Sequence, residues 1–306
     1  MPSPIAAPLR HAPPPSSSEN LRGIVLMALG FFSFAACDVM AKVLTETLHP
    51  VQVVWFRQIG LALGVIVLLA LRGPSMLRSR LPVLQITRGL LAVCSAICFI
   101  ISVSYVPLAD AVAVTFIAPF IVTLLGAFVL RESVGIRRWI AVGIGFIGML
   151  IVIRPGLGVF HPAIGFTVAA ACFFALRQVL SRSLSGADPV ITTVTYTSLT
   201  SIVLVSVALP FVWTTPDQLS LWLLAVGLAA TAGLGEVLVI RALDIAQAVV
   251  LAPIHYSMII WGTFYGFVVF SDLPDGWTLI GCGIIIASGL YTLHRERLAA
   301  KAQPNT

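Results

Sequence analysis

Several charged side chains of this sequence stand inside long apolar segments, where an ionisable group needs a reason to be retained. Arg57 follows Pro50 by seven residues and lies about one third of the way into such a segment. On insertion scales a charged side chain in a membrane helix costs roughly 2.5–3.5 kcal/mol. A guanidinium forms paired hydrogen bonds with a carboxylate. We therefore expect Arg57 either to hold an anionic group of a bound molecule or to be capped by helix carbonyls and an acidic neighbour.

Other apolar segments contain charged residues suited to ion pairing or proton transfer. Asp38 and Lys42 are four residues apart, so they share one helix face and are predicted to pair within the helix. This pair is expected to be structural or to act in gating; alternatively, Asp38 accepts a proton and Lys42 buffers its charge. Glu236 is predicted to pair with Arg177 or to exchange protons.

Aromatic and imidazole side chains follow a proline near the end of the sequence. Pro253 removes a backbone hydrogen bond, so it predicts a helix bend lined by His255, Tyr256 and Trp261. These rings are expected either to stack on a planar bound molecule or to pack against neighbouring helices, which is the commoner arrangement. Pro119 is the approximate counterpart of Pro253 in the first half of the chain.

The motifs of enzymes and metal sites are missing from the sequence. It contains no G-x-S-x-G, no H-E-x-x-H and no close group of cysteine and histidine. Cys94 and Cys98 share a helix face but lack imidazole or carboxylate neighbours, so we expect them to pack between helices. We predict no metal, no cofactor and no enzymatic activity.

The composition indicates which solvent surrounds these residues. The chain is 59% hydrophobic and 10% charged, whereas a soluble domain carries roughly 25% charged residues. In lipid every backbone N–H and C=O must be paired within the protein, which leaves helices or closed barrels. The apolar runs are near 20 residues long rather than alternating segments of about 10. The sequence therefore predicts an all-α membrane protein.

Ten apolar runs bounded by charge, proline or glycine predict ten transmembrane helices. They lie approximately at 22–44, 50–71, 84–106, 109–130, 136–153, 163–181, 190–212, 219–241, 246–270 and 276–293. The connection at Pro107 and Leu108 is so short that it suits only antiparallel neighbours. Residues 1–21, rich in proline and serine, are predicted to form a disordered cytoplasmic tail, and residues 295–306 a second cytoplasmic tail.

The positive charges predict how these helices are oriented. Thirteen lysine and arginine side chains lie on the side of the N-terminus, and one, Arg154, lies on the other side. Because lysine and arginine are retained in the cytoplasm, we expect both termini to be cytoplasmic in a multi-pass inner (plasma) membrane protein. The net charge of +6 then reflects topology and contact with anionic lipid, and no nucleic-acid partner is predicted.

The two halves of the chain show a weak internal repeat with an offset of 137–141 residues. His49-Pro-Val corresponds to Asp188-Pro-Val, and Tyr105-Val-Pro-Leu-Ala-Asp-Ala-Val corresponds to Ala242-Leu-Asp-Ile-Ala-Gln-Ala-Val. Because each half contains five predicted spans, the second half enters the membrane from the opposite side. Inverted repeats of this kind are typical of secondary transporters, which bind their solute near the midplane between the repeats.

The repeat also predicts which polar positions face each other. An offset of 139 residues aligns Arg57 with Tyr196 and Gln58 with Thr197. We expect Arg57, Gln58 and Tyr196 to line a common site, with Tyr196 hydrogen-bonding the molecule that Arg57 holds. The same offset aligns Asp38 with Arg177, which places opposite charges at equivalent positions.

These halves resemble the drug/metabolite transporter superfamily, specifically its ten-span EamA-type members, over approximately residues 22–293. The markers, in chain order, are Ala109-Asp-Ala through Ala118-Pro119 with Arg131-Glu132, Gly145-Phe-Ile-Gly148, and Ala252-Pro-Ile-His-Tyr256 through Trp261-Gly with Ser288-Gly-Leu-Tyr. Asp272 stands where the family pattern has a glutamate. The resemblance implies two five-helix EamA-like repeats, at 22–154 and 155–294.

The resemblance further implies carriage of small organic solutes, by exchange or by proton coupling. We predict a secondary transporter that moves an amino acid, a nucleoside-like or a vitamin-like solute across the inner membrane by alternating access. A multidrug or amphipath exporter of the same fold is the alternative, and an intramembrane enzyme is the rival class. The expected partners are the solute and the bilayer. Gly60-x-x-x-Gly64 and Gly262-x-x-x-Gly266 allow close helix contact in a monomer or homodimer.

Overall fold

A computed structural model describes residues 17–128, 136–154, 161–184, 187–246 and 248–302 of the chain. These residues are helical apart from short connections, and no β-strand occurs among them, so the predicted all-α class is confirmed. Residues 1–16 of the predicted N-terminal tail and the Arg131-Glu132 marker lie outside the described residues. The first helix begins at Ser17 and the last continues to Ala302, so parts of both predicted tails are helical.

The described residues form α-helices joined by short connections and 3-10 turns. In chain order the α-helices are α1 Ser17–Leu44, α2 Pro50–Arg72, α3 Pro82–Val103, α4 Leu108–Thr115, α5 Ala118–Phe128, α6 Ile136–Ile153, α7 Ile164–Leu184, α8 Val190–Ala208, α9 Leu219–Ile245, α10 Ala248–Leu251, α11 Ser257–Phe270 and α12 Gly276–Ala302. The 3-10 turns are Pro74–Leu77, Leu209–Phe211 and Ala252–Tyr256.

Eight helical segments within the described residues are long and apolar enough to cross a membrane. Two further helices are apolar but shorter, Trp139–Ile153 and Gly276–Thr292. Large apolar side chains such as Leu71 and Phe128 are exposed, at 78% and 73%. Exposed apolar surface of this extent suits contact with lipid. The protein is therefore a multi-pass membrane protein, and the predicted count of ten spans stays a prediction.

Proline begins or interrupts several of these helices. Pro50 and Pro82 occupy the first turns of α2 and α3, where the missing N–H has no helical partner to lose. Helix α4 ends at Thr115, and α5 begins at Ala118 beside Pro119. In the second half a 3-10 turn that contains Pro253 separates α10 from α11. The bends expected at Pro119 and Pro253 therefore occur as helix interruptions.

Helices of the first half pack mainly on helices of the second half. Helix α1 lies along α9, α3 along α7, and α6 along α12. Helix α2 contacts α8 and α9, α3 contacts α8, α5 contacts α7, and α11 contacts α1. Glycine permits a close approach of α2 to α9, because a Cβ at Gly60 of α2 would come within 1.8 Å of the Ala229 carbonyl oxygen of α9.

Candidate functional site

An ion pair joins α1 to α2 inside the helical bundle. The Nη1 atom of Arg57 donates to Oδ1 of Asp38 over 2.9 Å, and the Asp38 side chain is 4% exposed. The prediction that Asp38 pairs with Lys42 is wrong, because the carboxylate faces α2 while the longer lysine side chain extends towards the end of α1. Of the two interpretations of Arg57, the one with an acidic neighbour describes this contact.

Lys42 contributes to a second polar group, at the end of α1. Its Nζ atom donates to the Val106 carbonyl oxygen over 3.0 Å and lies 3.9 Å from Oδ2 of Asp272. The ammonium group also lies 4.8 Å from the centre of the Phe270 ring. These contacts connect α1 to the turn before α4 and to the end of α11. Lys42 therefore ties three elements together near one face of the bundle.

Arg88 is a half-buried cation that sequence reasoning did not select. Its Nε atom donates to Ser181 Oγ over 2.7 Å, and its Nη1 atom donates to Thr197 Oγ1. The guanidinium thus bridges α3, α7 and α8 through hydroxyl groups. The predicted third span began at residue 84, which placed Arg88 at its end, whereas α3 begins at Pro82 and sets Arg88 nearly two turns inside. Pro82, a residue typical of the first turn of a helix, was the sequence signal that could have placed Arg88 inside the third span.

Arg177 of α7 lies close to Arg88. Its Nε atom is buried and has no hydrogen-bond partner among the described residues, and its guanidinium lies 4.8 Å from the centre of the Phe174 ring. The two arginines repel each other electrostatically. Glu236 of α9 attracts Arg57, Arg88 and Arg177. No ion-pair contact joins Glu236 to Arg177 among the described residues, so their predicted pairing stays a prediction.

Five charged residues on five helices make up what we call the buried charge cluster: Asp38, Arg57, Arg88, Arg177 and Glu236. Asp38 is buried, and the other four residues are half-buried. Three guanidiniums against two carboxylates leave one positive charge in excess. Charges removed from water are tolerated mainly when they are paired and hydrogen-bonded. An arrangement with excess positive charge can bind an anion. In the described part of the chain, no three histidine, cysteine or acidic side chains are grouped so that they could hold a metal ion.

The structure does not bring Tyr196 to Arg57. The Tyr196 hydroxyl donates to the Leu77 carbonyl oxygen over 2.9 Å, in the 3-10 turn that follows α2. Arg57 is in the first half of α2, so roughly 20 residues of chain separate it from that turn. Gln58 is half-buried on α2, and Thr197, its counterpart in the repeat, binds Arg88 instead.

The predicted aromatic residues pack against α1 and the end of α4. The His255 ring stands edge-on to Phe31 at a centroid distance of 4.6 Å, and Trp261 is edge-on to Phe32 at 5.1 Å. Tyr256 is stacked on Phe116 at 5.3 Å. These are packing contacts between helices, which was the commoner of the two predicted arrangements. A role of these rings in binding stays a prediction.

The chain is similar in sequence to proteins named as transporters. The model of the EamA-like transporter family matches residues 21–154. An S-adenosylmethionine uptake transporter of Rickettsia felis is 29% identical over 280 residues, which cover 91% of this chain and 95% of that protein. A pseudopaline exporter of Pseudomonas aeruginosa is 25% identical over 279 residues, covering 90% and 96%.

A riboflavin transporter of Vibrio cholerae is 30% identical over 202 residues, which cover 65% of this chain and 67% of that protein. A solved crystal structure has the same fold, with a TM-score of 0.63 and 20% sequence identity. The match covers 92% of this chain and 99% of that chain. The fold described above is therefore shared over nearly the whole length of a known structure.

Proposed function

This chain belongs to the EamA-like transporter family, and from that premise we propose that it is a secondary transporter that moves a small organic metabolite by alternating access. The buried charge cluster is the observation that carries the proposal. Its five charged side chains lie among helices whose surface is apolar, and intramembrane ionisable residues commonly mark a solute or ion pathway.

The packing of the helices supports two inverted repeats. In two equivalent halves, α1, α2, α3 and α5 would correspond to α7, α8, α9 and α11. Exchanging the halves then converts the α1–α9 contact into the α7–α3 contact. The same exchange converts the α2–α9 contact into α8–α3, and α5–α7 into α11–α1, all of which occur. Such an exchange is the property expected of a pseudo-two-fold axis. We infer that the two halves rock around a site on this axis.

Two sets of polar contacts between helix ends are suited to closing such a site. On the face where α1 ends, Lys42 lies near Asp272, and Arg154 Nη1 binds Asp275 Oδ2 over 2.6 Å. On the other face, Asp188 accepts hydrogen bonds from Ser79 Oγ and from the backbone N–H of Arg80. Alternating access requires that contacts of this kind open in turn. We propose that Lys42 acts in gating at the first of these faces.

The solute is proposed to be polar and amino-acid-like, nucleoside-like or vitamin-like. The relatives are named for S-adenosylmethionine, pseudopaline and riboflavin. A charged cluster in a low-dielectric interior favours a solute with complementary charge over an uncharged amphipath. The cell membrane is the proposed location, with both termini in the cytoplasm.

Transport by the purified full-length chain in proteoliposomes tests this function. We expect saturable uptake of at least one of S-adenosylmethionine, riboflavin and tryptophan, well above that of protein-free liposomes. Accumulation driven by a proton gradient, measured at two pH values, would identify proton coupling, whereas counterflow alone would identify exchange. If folded protein moved none of a wider metabolite panel by either assay, the proposal would be wrong.

A further inference from the structure

The excess positive charge of the buried charge cluster lies at Arg88 and Arg177, and we propose that these two side chains form the subsite for a carboxylate or phosphate group of the solute. This inference rests on the proposed transport function. It differs from the sequence-based expectation, which assigned the anionic group to Arg57. The reason is the distribution of partners within the cluster.

Arg57 has an acidic side chain in direct contact, whereas Arg88 and Arg177 have none in direct contact among the described residues. The Arg57 guanidinium binds the Asp38 carboxylate. Arg88 donates to the neutral hydroxyls of Ser181 and Thr197. Among the described residues, no acidic side chain forms an ion-pair contact with Arg88 or Arg177. A buried guanidinium without a carboxylate is unfavourable unless another anion neutralises it.

The internal repeat makes the same difference visible between the two halves. Asp38 of α1 corresponds to Arg177 of α7, and Arg57 of α2 corresponds to Tyr196 of α8, the residue before Thr197. The first half therefore places an acid against an arginine. The second half has Arg177 where the first has the acid, and it has no arginine beside Thr197, whose hydroxyl instead accepts from Arg88 of the first half. The position of Asp38 and Arg57 in the first half is therefore neutral, whereas the equivalent position in the second half, with Arg177, is positive.

The positions of both arginines suit capture of an anionic group below one membrane face. Arg88 lies six residues after the start of α3, and Arg177 lies seven residues before the end of α7. With a rise of about 1.5 Å per residue, both arginines lie roughly 10 Å from the end of the bundle where α3 begins and α7 ends. Water is scarce at this depth, so a planar, bidentate contact from guanidinium to carboxylate or phosphate is strengthened.

Glu236 competes with a bound anion for these arginines. It lies nine residues before the end of α9, roughly 14 Å from that end at the same rise, and attracts both side chains. Ser181, whose Oγ accepts from Arg88, donates to the Arg177 carbonyl oxygen one turn earlier on α7. This hydrogen bond fixes the position of the hydroxyl that Arg88 contacts. Glu236 therefore offsets part of the charge of the arginines, and a solute anion would compete with that attraction.

Pairs of solutes that differ only in the anionic group test the subsite in proteoliposomes of the full chain. S-adenosylmethionine is compared with its decarboxylated form, tryptophan with tryptamine, and riboflavin with FMN. The first two pairs report a carboxylate, and the third reports a phosphate. We expect the acid-bearing member of a transported pair to enter at least tenfold faster than its partner at equal concentration.

Substitutions assign that preference to the two arginines. Arg88→Gln and Arg177→Gln are each expected to reduce it to less than twofold, and the lysine variants retain part of it because they keep the charge. Arg78→Gln removes an exposed guanidinium from the connection between α2 and α3 and is the matched control with unchanged preference. Glu236→Gln is expected to lower the half-saturating concentration of the acid-bearing solute several-fold, a gain that a purely structural role of Glu236 does not produce.

The outcomes separate this inference from the transport function. If a pair is transported without preference for the acid, or if both glutamine variants keep the preference, the subsite is wrong and the transport function stands. If no solute enters faster than into protein-free liposomes, both proposals fail. Where the glutamine variants do not fold, Glu236→Gln still decides, because an unchanged or higher half-saturating concentration contradicts competition at the arginines.

Discussion

The ion pair between Asp38 and Arg57 connects α1 and α2 where little water is available to solvate either charge. The Asp38 side chain is 4% exposed and that of Arg57 is 22% exposed. Removing one partner of a buried pair leaves the other charge uncompensated, and this loss exceeds the net contribution of the intact pair. The pair is thus expected to act as a unit, in folding as much as in transport.

Single and double substitutions test that unit. Asp38→Asn or Arg57→Gln alone is expected to lower the free energy of unfolding by about 3–5 kcal/mol, because each strands one buried charge. The double variant removes both charges and is expected to lose less than either single variant. Denaturation in detergent, compared with the exposed-site variant Arg78→Gln, measures the coupling. Losses that simply add in the double variant would contradict it.

At the scale of elements, the contact between α2 and α9 depends on the absence of a side chain at one position. A Cβ at Gly60 would lie 1.8 Å from the Ala229 carbonyl oxygen, and a Cβ at Gly233 would lie 3.3 Å from the backbone of Gly60. Backbone atoms cannot rotate away as a flexible side chain can. Gly64, by contrast, has open space around the position of a Cβ. Of the two glycines in the predicted Gly60-x-x-x-Gly64 spacing, Gly60 lies at a close helix contact and Gly64 does not.

Alanine substitution distinguishes these two glycines. Gly60→Ala is expected to destabilise the protein by about 1–3 kcal/mol, because overpacking forces the helices apart. Gly64→Ala adds a methyl group to open space and serves as the matched control, with an effect near zero. The midpoint of thermal unfolding in detergent reports both. Equal effects of the two substitutions would show that the α2–α9 distance is not limiting.

The turns before α3 and before α8 are joined by Asp188. The Ser79 hydroxyl, the Arg80 backbone N–H and the Gln85 amide donate to its carboxylate, and together they lower the pKa of Asp188 below its usual range. A lowered pKa in the folded state stabilises the protein above the unfolded pKa of about 3.9, and the stabilisation disappears as the pH falls through the folded pKa. This connection therefore weakens only in acid.

Acid titration of stability tests the Asp188 contacts. Near neutral pH, Asp188→Asn is expected to melt at a lower temperature than the wild type, because it loses a charged acceptor of three hydrogen bonds. Below about pH 4 the difference is expected to shrink, because the carboxyl protonates first in the unfolded wild type, and it disappears once the pH falls below the lowered pKa of the folded state. Asp217→Asn, which removes an exposed carboxylate from the connection before α9, is the control. A difference that stays constant down to pH 2 would rule out this linkage.

At the scale of the whole molecule, two sets of polar contacts join connections of the first half to connections of the second half. Gln52 at the start of α2 exchanges hydrogen bonds with Thr214, in the connection before α9. Asp188 instead binds the connection between α2 and α3. The ends of α2 therefore meet different parts of the second half. This grouping agrees with the predicted topology, in which these two sets lie on opposite faces.

Reporters of sidedness test the topology directly. Reporters fused at the two chain ends are both expected to be cytoplasmic. Cysteines introduced at Thr47 and Thr215, in a variant without native cysteines, are expected to react from outside intact cells, whereas one at Ser75 reacts only after permeabilisation. Retained uptake by each variant shows that the fold is preserved. Chain ends on different faces would disprove inverted repeats of five spans.

The sequence by itself determined the class of this protein and its helical segments. Composition excludes a water-exposed surface, run length selects helices over barrel strands, and prolines interrupt the chain near Pro119 and Pro253. These are properties of local stretches and of their solvent, so they can be read without knowing which helices touch. Family membership, too, was indicated by motif order along the chain and agrees with the matched family model.

Only the tertiary structure decided which charges meet. Asp38 has its local neighbour Lys42 one turn away but binds Arg57, and Arg88 finds its partners on α7 and α8, roughly a hundred residues further along the chain. Helical periodicity specifies the face on which a side chain lies, but the helix opposite that face depends on packing between distant segments. The repeat aligned Arg57 with Tyr196, yet the bundle directs the Tyr196 hydroxyl to Leu77. The positive subsite at Arg88 and Arg177 therefore follows from the assembled helices.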